Sequence, residues 1–141
     1  MGKKMKNNKL GFTLIELMVT VLIVGIIGGW AMTSYRGTVI KANRTDAKTK
    51  LLEVMQKQER FFSEKSTYTT TLTELGFSAS PTPSDKAYYL ITAAASADGL
   101  TGGIILTATP QGKQADDTEC KNFILNSNGQ KSVSTGGTKC W

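Results

Sequence analysis

The sequence predicts an α+β fold in which one long N-terminal α-helix packs on a small antiparallel β-sheet and a disulfide loop closes the C-terminal end. Three observations predict it. An apolar run near the N-terminus passes into a segment with helical spacing, several β-rich runs follow, and the two cysteines, Cys120 and Cys140, lie close together near the end of the chain. A chain of 141 residues has room for one modest domain beyond such a helix.

The first eleven residues, MGKKMKNNKLG, form a short basic leader. They hold four of the 17 lysines and arginines and no acidic residue. The remaining 13 basic residues face 11 acidic ones, a balance of +2. Because the positive charge belongs mainly to the leader, the net charge does not favour nucleic acid as a direct partner of the folded domain.

The leader is followed by an apolar segment, residues 12–32, that is long enough for a membrane-spanning helix of about 20 residues. An ordinary secretory signal has an apolar stretch of only about 7 to 15 residues, so this segment is predicted to remain in the mature protein. The lysines before it favour a cytoplasmic N-terminus, which leaves residues 33–141 as a globular domain on the other side of the membrane. A plain single-pass anchor is the alternative interpretation.

Glu16 is the feature that argues against a plain anchor. A carboxylate inside a membrane-length apolar run costs up to about 2.5 to 3.5 kcal/mol and calls for a partner or a function. If the chain were cut between Gly11 and Phe12, the new α-amino group would begin the helix. A carboxylate one turn later could then neutralise that amine or the amine of a neighbouring chain.

Beyond the apolar segment, helical spacing of apolar residues continues, and the helix is predicted to end at about Glu64. A short element at 72–77 and a Pro-containing turn region come next. The β-rich runs are predicted as strands at residues 88–94, 103–109, 123–126 and 131–133.

Asn128-Gly129 predicts a tight hairpin turn between the last two strands. Pairing of Cys120 with Cys140 would close the loop that contains this hairpin, as in an exported domain. Two separate buried thiols are the alternative.

Residues 9–17, KLGFTLIEL, closely resemble the class III signal of type IV pilins. The resemblance implies that a prepilin peptidase cuts after Gly11 on the cytoplasmic side and methylates the amine of Phe12. It also implies that Glu16 contacts the N-terminus of an adjacent subunit during assembly. The expected locations are therefore the bacterial inner membrane, with the C-terminal domain in the periplasm, and the extracellular pilus.

Softer matches to PilE-type minor pilins occur at residues 43–46, 58–62, 117–120 and 140–141. They imply a minor pilin, a structural subunit that joins the pilus filament or primes its assembly, with twitching motility, adhesion and DNA uptake as the associated activities. The expected partners are other pilins, the prepilin peptidase and an inner-membrane assembly platform. A major pilin and a pseudopilin of a type II secretion system remain alternatives, as does a DNA-receptor pilin.

Enzymatic function is not predicted. The chain has no histidine, the residue most used for proton transfer near neutral pH, and nothing marks a serine or threonine as a nucleophile. We assign no catalytic residue, cofactor or metal site. The acidic group Asp116, Asp117 and Glu119 lacks the spacing of a calcium loop and is interpreted as a solvated loop. An envelope enzyme with a simple anchor is the alternative from a different class.

Overall fold

A computed structural model describes the backbone of residues 11–141 and the side chains of residues 11–29 and 35–141. The chain divides into two compact units, Met1–Thr38 and Val39–Trp141. The predicted leader lies outside the described residues except for Gly11. Helix α1, Leu14–Lys65, is 52 residues long and ends one residue after the predicted position.

In the first unit, the described part of α1 carries large apolar side chains that are exposed to solvent. Ile23 is 48% exposed and Leu14 is 78% exposed. Among the helical residues whose side chains the structure describes, no stretch is both long and apolar enough to cross a membrane. The predicted span, residues 12–32, includes side chains at 30–32 that lie outside the described residues.

In the second unit, α1 buries one stripe of residues against the sheet. Ala47, Leu51 and Val54, spaced four and three residues apart, have no exposed surface. They join the buried strand residues Ile91, Ile104, Leu106 and Phe123 in one core. Full burial of a side chain such as Leu51 stabilises the fold by roughly 1.5 to 3 kcal/mol.

The sheet is an antiparallel meander of five strands in the order β1-β2-β3-β4-β5. Their bounds are Thr82–Pro83, Tyr89–Ser96, Gly99–Pro110, Phe123–Asn126 and Lys131–Val133. The predicted antiparallel sheet is confirmed, and so is the hairpin between β4 and β5. Strand β1 was not predicted because it contains Pro83, which a sheet accepts only at an edge or bulge.

Strand β3 begins before the predicted start at residue 103, so that Gly102 lies inside it together with Gly103. The register of β2 and β3 shifts between Ala95 and Ser96, opposite this stretch. At Gly102 a Cβ atom would collide with Asp98. The strand therefore needs glycine there because another part of the chain passes close to its backbone.

Candidate functional site

The predicted processing junction lies just before α1. Gly11 and Phe12 precede the first helical residue, and the Phe12 side chain is 81% exposed. Glu16 lies in the first helical turn with its side chain exposed, and its backbone N–H donates to Thr13 Oγ1 at 3.3 Å. A carboxylate in this position faces the positive end of the helix dipole and is open to an external amine.

The other end of the chain is closed by a covalent bond. The sulfur atoms of Cys120 and Cys140 are 2.07 Å apart, and both residues are buried. The bond closes a loop that contains the β4–β5 hairpin and brings Trp141 against Phe123, with ring centroids 5.6 Å apart. The predicted disulfide loop is thus present, and it holds the C-terminus on the core.

Arg44 of α1 binds the segment that directly precedes this loop. Its Nε and Nη2 atoms donate to the two carboxylate oxygens of Asp117 at 2.8 and 2.9 Å, and Nη2 also donates to Glu119 at 2.8 Å. Asp117 in turn accepts hydrogen bonds from the backbone N–H groups of Glu119 and Cys120. The expectation of a solvated acidic loop is therefore wrong for Asp117, which is 3% exposed.

The ionisation of this cluster follows from its contacts. Burial alone raises the pKa of the Asp117 carboxyl, but the hydrogen bonds from Arg44 and from the backbone of Cys120 outweigh burial and hold the pKa below its usual value. The hydrogen bonds that Arg44 donates to Asp117 likewise raise the pKa of the Arg44 guanidinium, despite the opposing effect of burial. Both groups therefore remain charged at neutral pH.

A second polar contact joins the same helix face to the segment before the disulfide. Buried Gln114 donates from Nε2 to the carbonyl oxygen of Ile40 and to the hydroxyl of Tyr89, both at 3.0 Å. Asn43 donates to Gln114 Oε1 at 3.2 Å. Burial raises the pKa of Tyr89 to about 12, against the effect of the Gln114 hydrogen bond, so the phenol stays neutral and rigidly placed.

A concentration of lysines surrounds the disulfide end. We define the basic surface as Lys41, Lys48, Lys121, Lys131 and Lys139, and four of these are exposed while Lys48 is half-buried. Burial lowers the pKa of Lys48, and repulsion from Arg44 and Lys131 lowers it further. The Nζ of Lys131 lies 5.3 Å from the centre of the Trp141 ring.

The basic surface is a local excess that the net charge of the chain conceals. Two of the nearby carboxylates, Asp117 and Glu119, are engaged by Arg44, whereas Asp116, directly before Asp117, is exposed. Asp46 lies on α1 between Lys41 and Lys48 and accepts from the backbone N–H of Lys86. Later along α1, Glu53, Glu59 and Glu64 are accompanied by Lys57, Arg60 and Lys65. On a helix that rises about 1.5 Å per residue, Lys41 and Glu64 are separated by roughly 35 Å. Summing charge over the whole domain therefore missed this surface.

Two family models match the sequence. The model described as "Type IV minor pilin ComP, DNA uptake sequence receptor" matches residues 33–124, and the model described as "Prokaryotic N-terminal methylation motif" matches residues 6–32. The first covers most of the chain and ends inside β4. The second includes the predicted junction between Gly11 and Phe12. A DNA receptor description runs against the expectation that nucleic acid is not a direct partner.

Relatives point to the same group of proteins. The chain is 38% identical over 85 residues to the type IV major pilin protein PilA of Myxococcus xanthus, an alignment that covers 60% of this chain and 38% of that protein. A type IV pilin structure from Shewanella oneidensis matches with a TM-score of 0.52 and 26% identity, covering 72% of this chain and 97% of that one. With its methylation motif, long helix, antiparallel sheet and disulfide loop, this chain belongs to the ComP family of type IV minor pilins.

Proposed function

We propose that this chain is a minor subunit of a type IV pilus whose basic surface binds duplex DNA on the outside of the filament. The observation that carries the proposal is the gathering of five lysines and Trp141 around the disulfide end. Duplex DNA presents a dense row of phosphates, and lysines that contact them provide the sequence-independent part of the affinity. The family description, which names a DNA uptake sequence receptor, supports the same partner.

The N-terminal segment has the filament role in this proposal. Cleavage after Gly11 and methylation of Phe12 by a prepilin peptidase release a subunit held in the inner membrane by residues 12–32. Assembly on the inner-membrane platform then transfers that segment to the filament, where apolar side chains of other pilins replace lipid. Glu16 pairs with the amine of a neighbouring subunit and sets the register, because an unpaired charge in apolar surroundings is costly.

The two roles belong to different parts of the chain. In this proposal the N-terminal apolar side chains are buried in the filament, and the C-terminal disulfide loop contacts DNA. The Arg44 contacts serve the second role: they neutralise Asp117 and Glu119, two carboxylates that would otherwise repel phosphate beside the lysines. A pilin with no DNA contact is the competing interpretation, and the two differ in one measurable property.

That property is the salt dependence of DNA affinity. We expect the full chain in detergent to bind a mixed-sequence duplex, with log K falling by roughly 3 to 4.5 per unit of log salt concentration if three to five phosphates are neutralised. Lys48→Gln combined with Lys131→Gln should weaken binding and make this slope shallower by about two. Fluorescence anisotropy with labelled duplex, titrated at several salt concentrations, measures both quantities.

Matched controls come from lysines outside the basic surface. Lys57→Gln and Lys86→Gln remove the same total charge from other parts of the same unit, and they should leave the slope unchanged. Equal losses in both double variants would mean that DNA responds only to net charge. No binding by the full chain at low salt would reject the DNA proposal and leave the filament role standing.

A further inference from the structure

The turn between β4 and β5 contains an asparagine followed by a glycine, a pair that can react with itself. The backbone nitrogen of a residue can attack the side-chain amide of the asparagine before it, and glycine hinders this attack least because it has no Cβ. Asn128 and Gly129 are both exposed, and nothing lies within 4 Å of the position that a Cβ would occupy at Gly129. The two reacting groups therefore have room to approach each other.

The side chain of Asn128 is not engaged by its neighbours. It makes no hydrogen bond with any residue that the structure describes. The Gly129 N–H donates to the carbonyl oxygen of Asn126 at 3.0 Å, and this bond must open before the nitrogen can attack. The bond lies at the exposed tip of a short hairpin, where local opening costs little free energy. The amide is therefore available, and the attacking nitrogen becomes available whenever the tip opens.

Asn126, two residues earlier in the same turn, is protected by its contacts. Its Nδ2 donates to Gln130 Oε1 at 2.8 Å, and its Oδ1 accepts from the backbone N–H of Gln130 at 2.9 Å. The nitrogen that would attack Asn126 belongs to Ser127, and it donates to the carbonyl oxygen of Ile104 in β3 at 3.0 Å. Both the amide and the attacking nitrogen are thus held in place.

The remaining asparagines of the second unit, Asn43 and Asn122, are protected in other ways. Asn43 donates to Gln114 Oε1, and it lies inside α1, where the following backbone N–H is held in the helical hydrogen-bond pattern. Asn122 is followed by Phe123, whose bulky buried side chain hinders approach to the backbone nitrogen. Within residues 11–141, only Asn128 combines an unengaged amide with a following glycine.

We infer that Asn128 is a site of spontaneous deamidation, with water as the co-reactant and aspartate and isoaspartate as the products. The Gly129 nitrogen loses its proton to solvent base and forms a bond to Asn128 Cγ. The Cγ–Nδ2 bond breaks, and Nδ2 takes up protons and leaves as ammonia. Water then opens the resulting succinimide ring at one of its two carbonyl carbons, so that one water is consumed for each ammonia released.

The reaction changes both the charge and the main chain of the hairpin. A carboxylate replaces a neutral amide, so residues 12–141 change from 13 basic and 11 acidic residues to 13 and 12, a balance of +1. The new charge is three residues before Lys131 and reduces the local excess of the basic surface. Isoaspartate also adds a carbon to the main chain, within the turn that the Gly129 N–H closes. An older subunit therefore carries a less basic and more loosely closed hairpin, whether or not the chain binds DNA.

Incubation of the full chain in detergent at several pH values tests this inference. Isoelectric focusing detects the acidic product, mass spectrometry of peptides identifies the converted residue, and an isoaspartyl methyltransferase with a labelled methyl donor detects isoaspartate. We expect Asn128 to convert at least about tenfold faster than Asn126 or Asn122, which corresponds to a barrier lower by about 1.4 kcal/mol. The rate should rise with pH, because the attacking nitrogen must lose its proton.

Asn128→Gln keeps an amide in the turn but requires a larger ring in the intermediate, so the acidic product should be lost. Asn122→Gln is the matched control and should form the acidic product at the wild-type rate. Asn128→Asp should focus at the position of the aged wild type, since it carries the charge of the product. Acidic product formed at an unchanged rate in Asn128→Gln would overturn the inference, as would a wild type whose Asn128 converts no faster than Asn126.

Discussion

The N-terminal segment and the disulfide end differ in how their functional groups are brought together. Gly11, Phe12 and Glu16 lie within six consecutive residues, and their side chains make few contacts with the rest of the described chain. At the disulfide end, Arg44 contacts Asp117 across 73 residues of sequence, and Cys120 bonds to Cys140. A function carried by consecutive residues can be recognised as a motif, whereas one assembled by folding requires the contacts.

The two regions should also respond differently to substitution. A change in the N-terminal segment should alter recognition by other proteins without unfolding anything, because its side chains are exposed. A change at the disulfide end should mainly lower the free energy of unfolding, because the side chains there are bonded to one another. Substitutions in the two regions therefore test whether the regions are independent.

The largest expected effect is on maturation. Gly11→Val should block processing almost completely, because the added side chain would obstruct the peptidase at the scissile bond. The residue has nothing within 4 Å of the position that a Cβ would occupy, so the substitution disturbs no contact inside the described chain. Mass spectrometry of the N-terminal residue in cells that carry the whole pilus system measures the processed fraction.

Gly25→Ala is the control for that experiment, since Gly25 also has open space around its Cβ position and lies beyond the junction. It should be processed like the wild type. If the Gly11 variant matures normally to Phe12, the proposed cleavage site is wrong. The disulfide end should be unaffected in either variant, which would confirm that the two regions act separately.

Much of the fold could be predicted because its signals are local. Helical spacing of apolar residues, which includes Ala47, Leu51 and Val54, predicted the helix, and β-rich runs on either side of an Asn-Gly turn predicted the β4–β5 hairpin. The two cysteines favoured a loop at the C-terminus. What escaped prediction depended on neighbours in space: β1 forms only because β2 accepts a proline-containing edge strand, and Gly102 lies in β3 close to Asp98.

The candidate site was predicted in one region and missed in the other. The processing junction followed from the resemblance of residues 9–17 to the class III signal and from the position of Glu16, and it stays a prediction. The basic surface was overlooked because the balance of +2 averages lysines near the disulfide with carboxylates elsewhere. Asp117 was assigned to solvent because sequence gives no sign that Arg44, 73 residues earlier, would cover it. The net charge can be counted from the sequence, whereas the distribution of charge over the surface depends on the folded structure.

The largest effect at the disulfide end should come from removing Arg44. Arg44→Ala leaves the Asp117 carboxylate, whose side chain is 1% exposed, without its cation. Breaking a buried ion pair by deleting one partner typically costs about 3 to 5 kcal/mol. Urea unfolding of the full chain in detergent, followed by circular dichroism, measures the loss. Arg60→Ala, which removes an exposed pair with Glu64 at 3.7 Å, should cost less than about 1 kcal/mol.

The same variant should also change the response to acid. The folded pKa of Asp117 lies below its usual value, so its contribution to stability is fully present above an ordinary aspartate pKa of about 4. That contribution is lost as the pH falls through the lower, folded pKa. The wild type should therefore lose stability below about pH 4 more steeply than Arg44→Ala. If the free energy of unfolding of the two proteins changed with pH in parallel, Arg44 would not set the ionisation of Asp117.

At the disulfide end, loss of the disulfide is expected to lower the free energy of unfolding by less than loss of Arg44. Cys120→Ser should lower the free energy of unfolding by about 3 kcal/mol, the chain-entropy value for a loop of this length. The sequence separation of the cysteines is 20, and the loop they close contains the whole β4–β5 hairpin. Cys140→Ser should give the same loss, and reduced wild type should match both. An unchanged unfolding midpoint under oxidising conditions would contradict the bond.

Gly11 lies far from this loop in sequence and its contacts are local, so processing to Phe12 should continue in every cysteine variant. A processing defect in any of these variants would show that the two regions are not independent.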